Sequence, residues 1–214
     1  MSPPIEIHTF CLGMWQTHCY LVRETASKLC TIIDAGFEPQ PFIDLIRAEN
    51  LEPQHILLTH AHLDHIAGVP ALREAFPSIP ILIHHNEADF LTNPELNLSA
   101  GYGTPITTPP ADQLLSHNDQ VALGNITLKV LETPGHSPGG ITFYHAESHN
   151  AFVGDALFQN SIGRYDFPTS NGQTLIQSIK QQLMTLPGQT AVHPGHGPST
   201  TIAQEQQHNP YLQM

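Results

Sequence analysis

Three imidazoles and one carboxylate lie within the segment His60-Ala61-His62-Leu63-Asp64-His65. Imidazole nitrogen and carboxylate oxygen both suit zinc and related divalent ions. His60 and His62 are two positions apart, so an extended backbone would point both side chains the same way. Asp64 would lie near the N-terminus of a following helix, where a negative charge is favoured. This spacing indicates a metal site, and a solvated histidine-rich loop is the alternative interpretation.

Three later segments place residues of the same types where predicted strands end. His136 lies in a turn rich in glycine and proline, and Asp155 directly follows an apolar strand and a glycine. His196 lies between two glycines, and His193, three positions earlier, is the alternative to it. Each segment alone is weak, because a Gly-Asp pair after a strand is usually a turn. Together with the first cluster they indicate one metal site assembled from four parts of the chain.

Short apolar segments alternate with segments of helical spacing, and these elements must position the site. Strands are predicted at 5–12, 19–23, 29–34, 56–58, 79–83, 120–123, 126–132, 141–145, 151–153 and 189–192, and helices at 39–49, 65–76, 86–91, 172–186 and 200–208. This order favours an α/β fold in which two sheets pack face to face with helices outside. Reactive groups in such folds collect on loops at the carboxyl ends of strands.

The segment Thr92–Asp112 is rich in Pro, Gly, Ser, Thr and Asn, and it is predicted to form one long loop. A plain surface excursion is the favoured interpretation. A flap over a substrate site is the alternative, because long loops without regular structure are uncommon unless they are functional.

Composition excludes several classes of function. The 214 residues include 7 basic and 19 acidic residues, for a formal net charge of −12, which opposes nucleic-acid binding. No apolar run reaches the roughly 20 residues that span a bilayer, and residues 1–10 do not resemble a secretory signal.

Cys11, Cys19 and Cys30 predict free thiols in a reducing compartment, with a Cys11–Cys19 bridge as the alternative. We predict a cytoplasmic protein with one domain over residues 1–214 that binds neither nucleic acid nor membrane.

The histidine cluster and the three later segments resemble those of the metallo-β-lactamase-fold hydrolases. The resemblance extends from Asp34 to the last predicted helix, and it is greatest to the compact, single-domain relatives of hydroxyacylglutathione hydrolase (glyoxalase II). It implies an αββα four-layer sandwich, with two mixed β-sheets flanked by helices and a dinuclear metal site at one edge. The cofactors it implies are two divalent metal ions, expected to be Zn²⁺, with iron or manganese as alternatives.

The resemblance also implies a role for each matched residue. The expected ligands of the first metal are His60, His62 and His136, those of the second are Asp64, His65 and His196, and the residue expected to bridge the two metals is Asp155. Asp34 either orients one ligand imidazole from behind or simply makes a turn with Gly36.

The activity implied by the resemblance is hydrolysis of a small-molecule thioester. Two metal ions that share a water can lower its pKa and leave a bridging hydroxide, which attacks the substrate carbonyl. One metal stabilises the developing oxyanion, and Asp64 and Asp155 are the expected catalytic residues, since either carboxylate could accept the proton of the water. A thioester fits this scheme because a thiolate is a good leaving group.

S-acylglutathione, of the S-lactoylglutathione type, is the expected substrate. Glutathione thioesterases of this family place a substrate-contacting basic residue at the offset of Arg164, so Arg164 and the adjacent Tyr165 are the predicted substrate-binding residues. A surface ion pair is the alternative role of Arg164. The chain departs from the longer enzymes at Asp166, where they place a tyrosine, and it contains no Lys or Arg after His196.

Other functions of the same fold remain as alternatives. Persulfide dioxygenases share ligands equivalent to His60, His136 and Asp155 around one iron, but they follow the last motif histidine with an acidic residue and Tyr, where this chain has Gly197-Pro198. A hydrolase of the same fold that acts on a lactone or a β-lactam is a second alternative. A metal-binding module without catalysis is disfavoured because all seven ligand positions are filled.

Overall fold

Two six-stranded sheets that pack against each other form the centre of the computed structural model, which describes residues 5–213. The strands of the first sheet, in spatial order, are β1 (Ile5–Leu12), β2 (Thr17–Glu24), β3 (Leu29–Ile33), β4 (Glu52–Leu57), β5 (Ile81–His84) and β6 (Gln113–Leu115). β1, β2 and β3 pair antiparallel, whereas β3 through β6 pair in parallel.

The second sheet is also mixed, and a two-stranded ribbon accompanies it. The strands from this half of the chain are β7 (Gln120–Leu123), β8 (Ile126–Glu132), β9 (Ile141–His145), β10 (Asn150–Gly154), β11 (Leu157–Phe158), β12 (Ser161–Ile162), β13 (Ala191–Pro194) and β14 (Thr200–Thr201). The sheet order is β14-β13-β10-β9-β8-β7, and β11 pairs with β12. Only β10 and β13 pair in parallel.

Helices cover the outer face of each sheet. The α-helices are α1 (Gln40–Ala48), α2 (Leu63–Ile66), α3 (Val69–Ala75), α4 (Gly172–Ser178) and α5 (Ile202–His208), and 3-10 helices span His85–Leu91 and Ser99–Tyr102. A π-helical turn, Ile179–Leu183, continues α4. The predicted α/β class, with two mixed sheets flanked by helices in four layers, is confirmed.

The alternation of side chains along each strand divides the core into layers. In β2, Cys19 and Leu21 face the helices of the first sheet, whereas Tyr20 and Val22 face the second sheet. This two-residue period places successive side chains on opposite faces. The layer between the sheets is filled by residues from both of them, such as Ile33 and Leu57 of the first sheet and Phe143 and Phe152 of the second. A third apolar layer lies between the second sheet and α4 and α5.

The predicted bounds of some individual elements were less accurate than the predicted fold class. The predicted helix over 172–186 is α-helical only to Ser178, and Thr200–Thr201 pairs with β13 before α5 begins. The loop Thr92–Asp112 contains the 3-10 helix Ser99–Tyr102.

Cys11, Cys19 and Cys30 are free thiols, so the Cys11–Cys19 bridge is absent. None of the helices between residues 5 and 213 has the length and apolar character needed to cross a bilayer. The predicted domain limits, residues 1 and 214, lie outside the described residues.

We expect Phe143→Ala to destabilise the fold strongly, because the side chain is 0% exposed within the layer between the sheets. Loss of a buried phenyl ring costs about 3–5 kcal/mol in the free energy of unfolding. Urea unfolding of the metal-free protein measures this cost. Leu114→Ala is the control, because Leu114 is 51% exposed and a surface change is worth about 0.5 kcal/mol or less. Equal effects of the two substitutions would contradict the layer assignment.

Candidate metal centre

Four loops bring the predicted ligands together, and each loop follows a strand of one of the two sheets. The loop after β4 leads into α2, and the second loop follows β8. The third loop follows β10 and the fourth follows β13, which is the parallel neighbour of β10. The side chains with metal-ligating atoms that converge on one edge are His60, His62, Asp64, His65, His136, Asp155 and His196. All seven residues singled out from the sequence are therefore close together in the fold.

The first group consists of His60, His62 and His136, and each offers one ring nitrogen within 4.8 Å of the others. His62 Nδ1 lies 2.9 Å from His136 Nε2. All three side chains are buried, yet the Nε2 atoms of His60 and His62 have no hydrogen-bond partner. Burial, and then the charge of neighbouring imidazoles, lowers the pKa of His62 to about 3. These rings are therefore neutral and their nitrogen lone pairs are available to a cation.

The second group consists of Asp64, His65 and His196. His196 Nε2 lies 3.1 Å from Asp64 Oδ2, and the hydroxyl of Thr17 donates to the same oxygen at 2.8 Å. Burial alone would raise the pKa of Asp64, but the charges of His65 and His196 lower it below its usual value. The carboxylate is therefore charged at neutral pH, as a metal ligand requires.

Asp155 lies between the two groups. Its Oδ2 is 3.6 Å from His136 Nε2 and 3.5 Å from His196 Nε2, so one oxygen faces both groups. Its Oδ1 is 3.4 Å from His65 Nε2 and has no hydrogen-bond partner. Burial would raise the pKa of this carboxyl, but the charge of His65 dominates and lowers it to about 2.

Negative charge is concentrated around His65, and this favours a cation. Burial would lower the pKa of His65, yet the carboxylates of Asp64, Asp155 and Asp34 together raise it well above its usual value. His65 Nε2 is fully buried and has no hydrogen-bond partner. Buried polar atoms are almost always hydrogen-bonded in native proteins, so a buried ring nitrogen without a hydrogen-bond partner, next to carboxylates, fits a bound metal.

Asp34 orients His65 from behind. Its Oδ2 accepts hydrogen bonds from His65 Nδ1 and from the hydroxyl of Thr59, both at 2.8 Å, and its Oδ1 accepts from the backbone N–H of Thr59 at 2.8 Å. With Nδ1 bonded to Asp34, Nε2 is the ring nitrogen of His65 that can give up its proton to bind a metal. The structure thus favours the first of the two roles considered for Asp34. The residue adopts a positive φ of 59°, an uncommon conformation outside glycine.

The histidine that joins the second group is His196 and not His193. His193 Nε2 lies 2.7 Å from Asn150 Oδ1, and its ring stacks on Phe152 at a centroid distance of 4.9 Å. Burial lowers the pKa of His193 to about 4. Position 195 is a glycine because a Cβ there would lie 2.2 Å from Asp155 Oδ1. A glycine before His196 is therefore required for the fourth loop to approach Asp155.

A cavity of about 260 Å³ opens onto both groups. The residues that line it are Trp15, His62, Leu63, Asp64, Leu98, Tyr102, His136, Asp155, Phe158, Arg164, Phe167 and His196. Apart from the ligand residues and Arg164, this lining is apolar or aromatic. Leu98 and Tyr102 belong to the segment Thr92–Asp112, so this segment forms one wall of the cavity and is more than a surface excursion. The ring of Tyr102 meets the edge of Trp15 at 5.5 Å.

The two predicted substrate-binding residues differ in position. Arg164 lines the cavity, and its guanidinium makes two 2.9 Å hydrogen bonds to Asp166, so the ion pair considered for it is present. Its backbone carbonyl accepts a hydrogen bond from His136 Nδ1 at 2.8 Å. Tyr165 does not line this cavity. It is 49% exposed, and its ring packs against Gly172, where a Cβ would lie 2.7 Å from the ring. Side chains of adjacent residues point in different directions, so the position of Tyr165 next to Arg164 in the sequence did not place its ring in the cavity.

Glu87 is a site-proximal residue that the sequence analysis missed. It lies in the 3-10 helix His85–Leu91, and its carboxylate accepts hydrogen bonds from the backbone N–H groups of Ala61 and Gly139. Burial raises the pKa of this carboxyl, and its interactions with Gly139, the Ser137 side chain and Ala61 oppose the shift. A single glutamate in a short helix carries no motif, so only its position after β5 could have drawn attention to it.

Comparison with known proteins identifies relatives over nearly the whole chain. A family model described as "Metallo-beta-lactamase superfamily" matches residues 12–196. The chain is 41% identical over 202 residues to the probable metallo-hydrolase YqgX of Bacillus subtilis, with 94% of each protein covered. It is 35% identical over 200 residues to the hydroxyacylglutathione hydrolase GloC of Haemophilus influenzae, covering 92% of this chain and 93% of GloC.

Solved structures agree with these sequence matches. The BLEG-1 B3 metallo-beta-lactamase superposes with a TM-score of 0.93 at 42% identity, covering 98% of this chain and 100% of that one. TTHA1623 in a di-iron-bound form superposes with a TM-score of 0.84 at 38% identity, covering 96% of this chain and 100% of that one.

We expect His196→Ala to lose about half of the bound metal, because the second group would keep only two of its own ligands. Elemental analysis of untagged protein, expressed with a fixed supply of zinc, measures the metal content per chain. His193→Gln is the matched control, three residues earlier in β13. It should lower the melting temperature, since His193 packs on Phe152, but it should leave the metal content unchanged. Equal loss of metal in both variants would mean that His196 has no special role.

Proposed function

The chain belongs to the metallo-beta-lactamase superfamily, and on that premise we propose that it hydrolyses thioesters with the aid of two divalent metal ions. It is a metallo-hydrolase of this superfamily; the number of metals and the substrate are our proposal. One observation carries the proposal: Asp155 Oδ2 lies within 3.6 Å of a ring nitrogen from each of two groups of buried ligands. A carboxylate that reaches both groups is what a two-metal centre needs.

The residues present fit two ions. We assign His60, His62 and His136 to the first ion, Asp64, His65 and His196 to the second, and Asp155 to both. Four buried atoms of this set have no hydrogen-bond partner: His60 Nε2, His62 Nε2, His65 Nε2 and Asp155 Oδ1. Imidazole and carboxylate donors suit Zn²⁺, with iron and manganese as the alternatives. The di-iron form of TTHA1623 supports a two-metal centre but not one choice of metal.

When bound, two divalent ions lower the pKa of a shared water and polarise the carbonyl of the substrate. The protein itself orients the ligands and handles the proton. Asp34 holds His65 through Nδ1, and the carbonyl of Arg164 holds His136 through Nδ1, so both rings present Nε2 to the centre. Asp64 and Asp155 both line the cavity, and each offers a carboxylate oxygen to accept the proton released from water.

The cavity favours a substrate that has both an apolar part and a carboxylate. Trp15, Tyr102 and Phe158 give much of its wall an apolar character that excludes water around the scissile bond. Arg164 is the one basic side chain among the residues that line it, and it could bind a carboxylate of glutathione. We therefore propose an S-acylglutathione of the lactoyl type as substrate. The similarity to GloC over 93% of that protein supports this choice.

We expect Asp155→Asn to reduce kcat for S-lactoylglutathione at least about 100-fold, because the amide cannot supply charge to both metals or accept the proton. Release of the thiol, followed with a chromogenic reagent, measures the rate. Asp44→Asn is the matched control, because Asp44 is an exposed carboxylate on α1 that bonds to Gln40. Wild-type turnover in Asp155→Asn, with full metal content, would exclude the proposed mechanism.

We expect changes at Arg164 and Asp166 to alter KM in opposite directions. Arg164→Gln removes the guanidinium and should raise KM for S-lactoylglutathione about tenfold, the size expected for one hydrogen bond to a charged group. Asp166→Asn should lower KM, because it frees the guanidinium from its present partner. A thioester of N-acetylcysteamine, which has no carboxylate, is the control substrate. If both substrates respond equally, Arg164 does not bind the glutathione part.

Hydrolysis of a β-lactam is a second candidate, favoured by the 42% identity to BLEG-1 over 100% of that chain. Both reactions need attack on a carbonyl at the same metals, so the shape of the cavity decides between them. Turnover of S-lactoylglutathione, a cephalosporin and an acylated homoserine lactone under one set of conditions separates these hydrolases. An oxygen electrode with glutathione persulfide tests for a dioxygenase, which would contain one iron and consume oxygen.

A further inference from the structure

Glu87 is a buried carboxylate that the hydrolytic scheme does not use. Its side chain is 0% exposed, in the 3-10 helix that follows β5. Oε2 accepts a hydrogen bond from the backbone N–H of Ala61 at 3.0 Å, and Oε1 accepts one from the backbone N–H of Gly139 at 2.8 Å. Each oxygen of one carboxylate is therefore bonded to a different loop.

Both loops carry ligands of the first metal group. Ala61 lies between His60 and His62, and Gly139 lies three residues after His136. The loop of Ala61 follows β4 in the first sheet, whereas the loop of Gly139 follows β8 in the second sheet. Glu87 thus connects the two sheets beside the first metal group.

The close packing around Gly139 shows that this connection is built into the sequence. A Cβ on Gly139 would lie 2.7 Å from Glu87 Cγ and 2.8 Å from His84 Nδ1. Only glycine lets the backbone approach the carboxylate this closely. A backbone hydrogen bond from Ile141 N to Thr59 O, at 2.9 Å, also joins the loops, but it lies at the strand ends and not beside the ligands.

We infer that Glu87 is a positioning residue for the first metal: it fixes the distance between the loop of His60 and His62 and the loop of His136. Asp34 has the corresponding role for His65 in the second group. Asp34 also accepts two hydrogen bonds from Thr59, whose hydroxyl lies 3.1 Å from His60 Nδ1, so it contacts both groups. Both backbone hydrogen bonds of Glu87 go to loops that carry ligands of the first metal, so its loss should affect that metal selectively. This inference rests on the two-metal function proposed above.

The chemistry of the carboxylate dictates which substitutions test this role. Glutamine is nearly the same size, but its amide offers one acceptor, and its NH₂ group would face the second backbone N–H as donor against donor. Aspartate keeps the charge but is one methylene shorter, so it can reach only one of the two loops. Glu87→Gln and Glu87→Asp should therefore both loosen the first metal group while they leave every ligand in place.

Glu205 provides a matched control. It is also 0% exposed, and its carboxylate accepts hydrogen bonds from Asn160 N at 2.8 Å, from Thr200 Oγ1 at 2.6 Å and from Asn209 Nδ2 at 2.8 Å. None of these partners belongs to the seven ligand residues. Glu205→Gln should therefore destabilise the fold by a comparable amount without changing either metal group.

The experiment is a Zn²⁺ titration of the full, metal-free chain against a competing chelator, followed by the imidazole ¹⁵N signals in NMR spectra. In Glu87→Gln, the signals of His60, His62 and His136 should need about 10- to 100-fold more free Zn²⁺ for half-saturation, the size expected when an outer partner of a ligand is lost. The signals of His65 and His196 should change little. Asp34→Asn, which disturbs both His65 and Thr59, should instead shift the signals of both groups.

Each outcome distinguishes the inference from the function on which it rests. If wild-type protein binds Zn²⁺ at neither group, the proposed function and the inference both fail. If wild-type protein binds two ions, and Glu87→Gln and Glu87→Asp bind them as wild type does, only the inference fails. An equal shift in Glu205→Gln would show that general destabilisation causes the effect and would also overturn it. If Glu87→Gln does not fold, Glu87→Asp tests the inference alone. The expected result is again a higher Zn²⁺ requirement for the first group only.

Discussion

The site depends on one physical constraint: several buried polar atoms of the ligand residues have no hydrogen-bond partner. His60 Nε2, His62 Nε2, His65 Nε2 and Asp155 Oδ1 are all in this condition. Burying such atoms unpaired is costly, and burying an unpaired charge costs more. A bound cation would satisfy them with the correct sign of charge, and the two-metal centre proposed above rests on this fit. The surrounding structure can be understood as the means of holding these atoms in place.

Two levels of support surround these atoms. The nearer level fixes the rings, through Asp34 on His65 and the carbonyl of Arg164 on His136. The farther level fixes the loops that carry the rings, through Glu87 on the backbone of two of them. The positive φ of Asp34 belongs to the same pattern, since uncommon backbone conformations persist only where their surroundings determine them. Side-chain contacts, backbone conformation and the two sheets thus all help to fix the positions of the ligand atoms.

The extent to which the sequence predicted this site follows from how local each signal is. The cluster His60 to His65 is contiguous, so its chemistry can be inferred without a fold. His136, Asp155 and His196 became convincing together with that cluster and through resemblance to a family, and the structure brings all of them to one edge. Glu87 had no such signal, because its importance lies in two hydrogen bonds to distant backbone atoms. Helix ends were also inaccurate where local geometry changed, as at the π-helical turn after Ser178.

Arg164 contacts the metal centre through its backbone and the cavity through its side chain. Its peptide carbonyl fixes the tautomer of His136, while its guanidinium lies at the mouth of the cavity. A carbonyl belongs to every amino acid, so a codon change at this position alters what the mouth attracts and leaves the ligand ring as it was. If Arg164 binds substrate as proposed, substrate preference can diverge at this position while the ligand ring keeps its orientation.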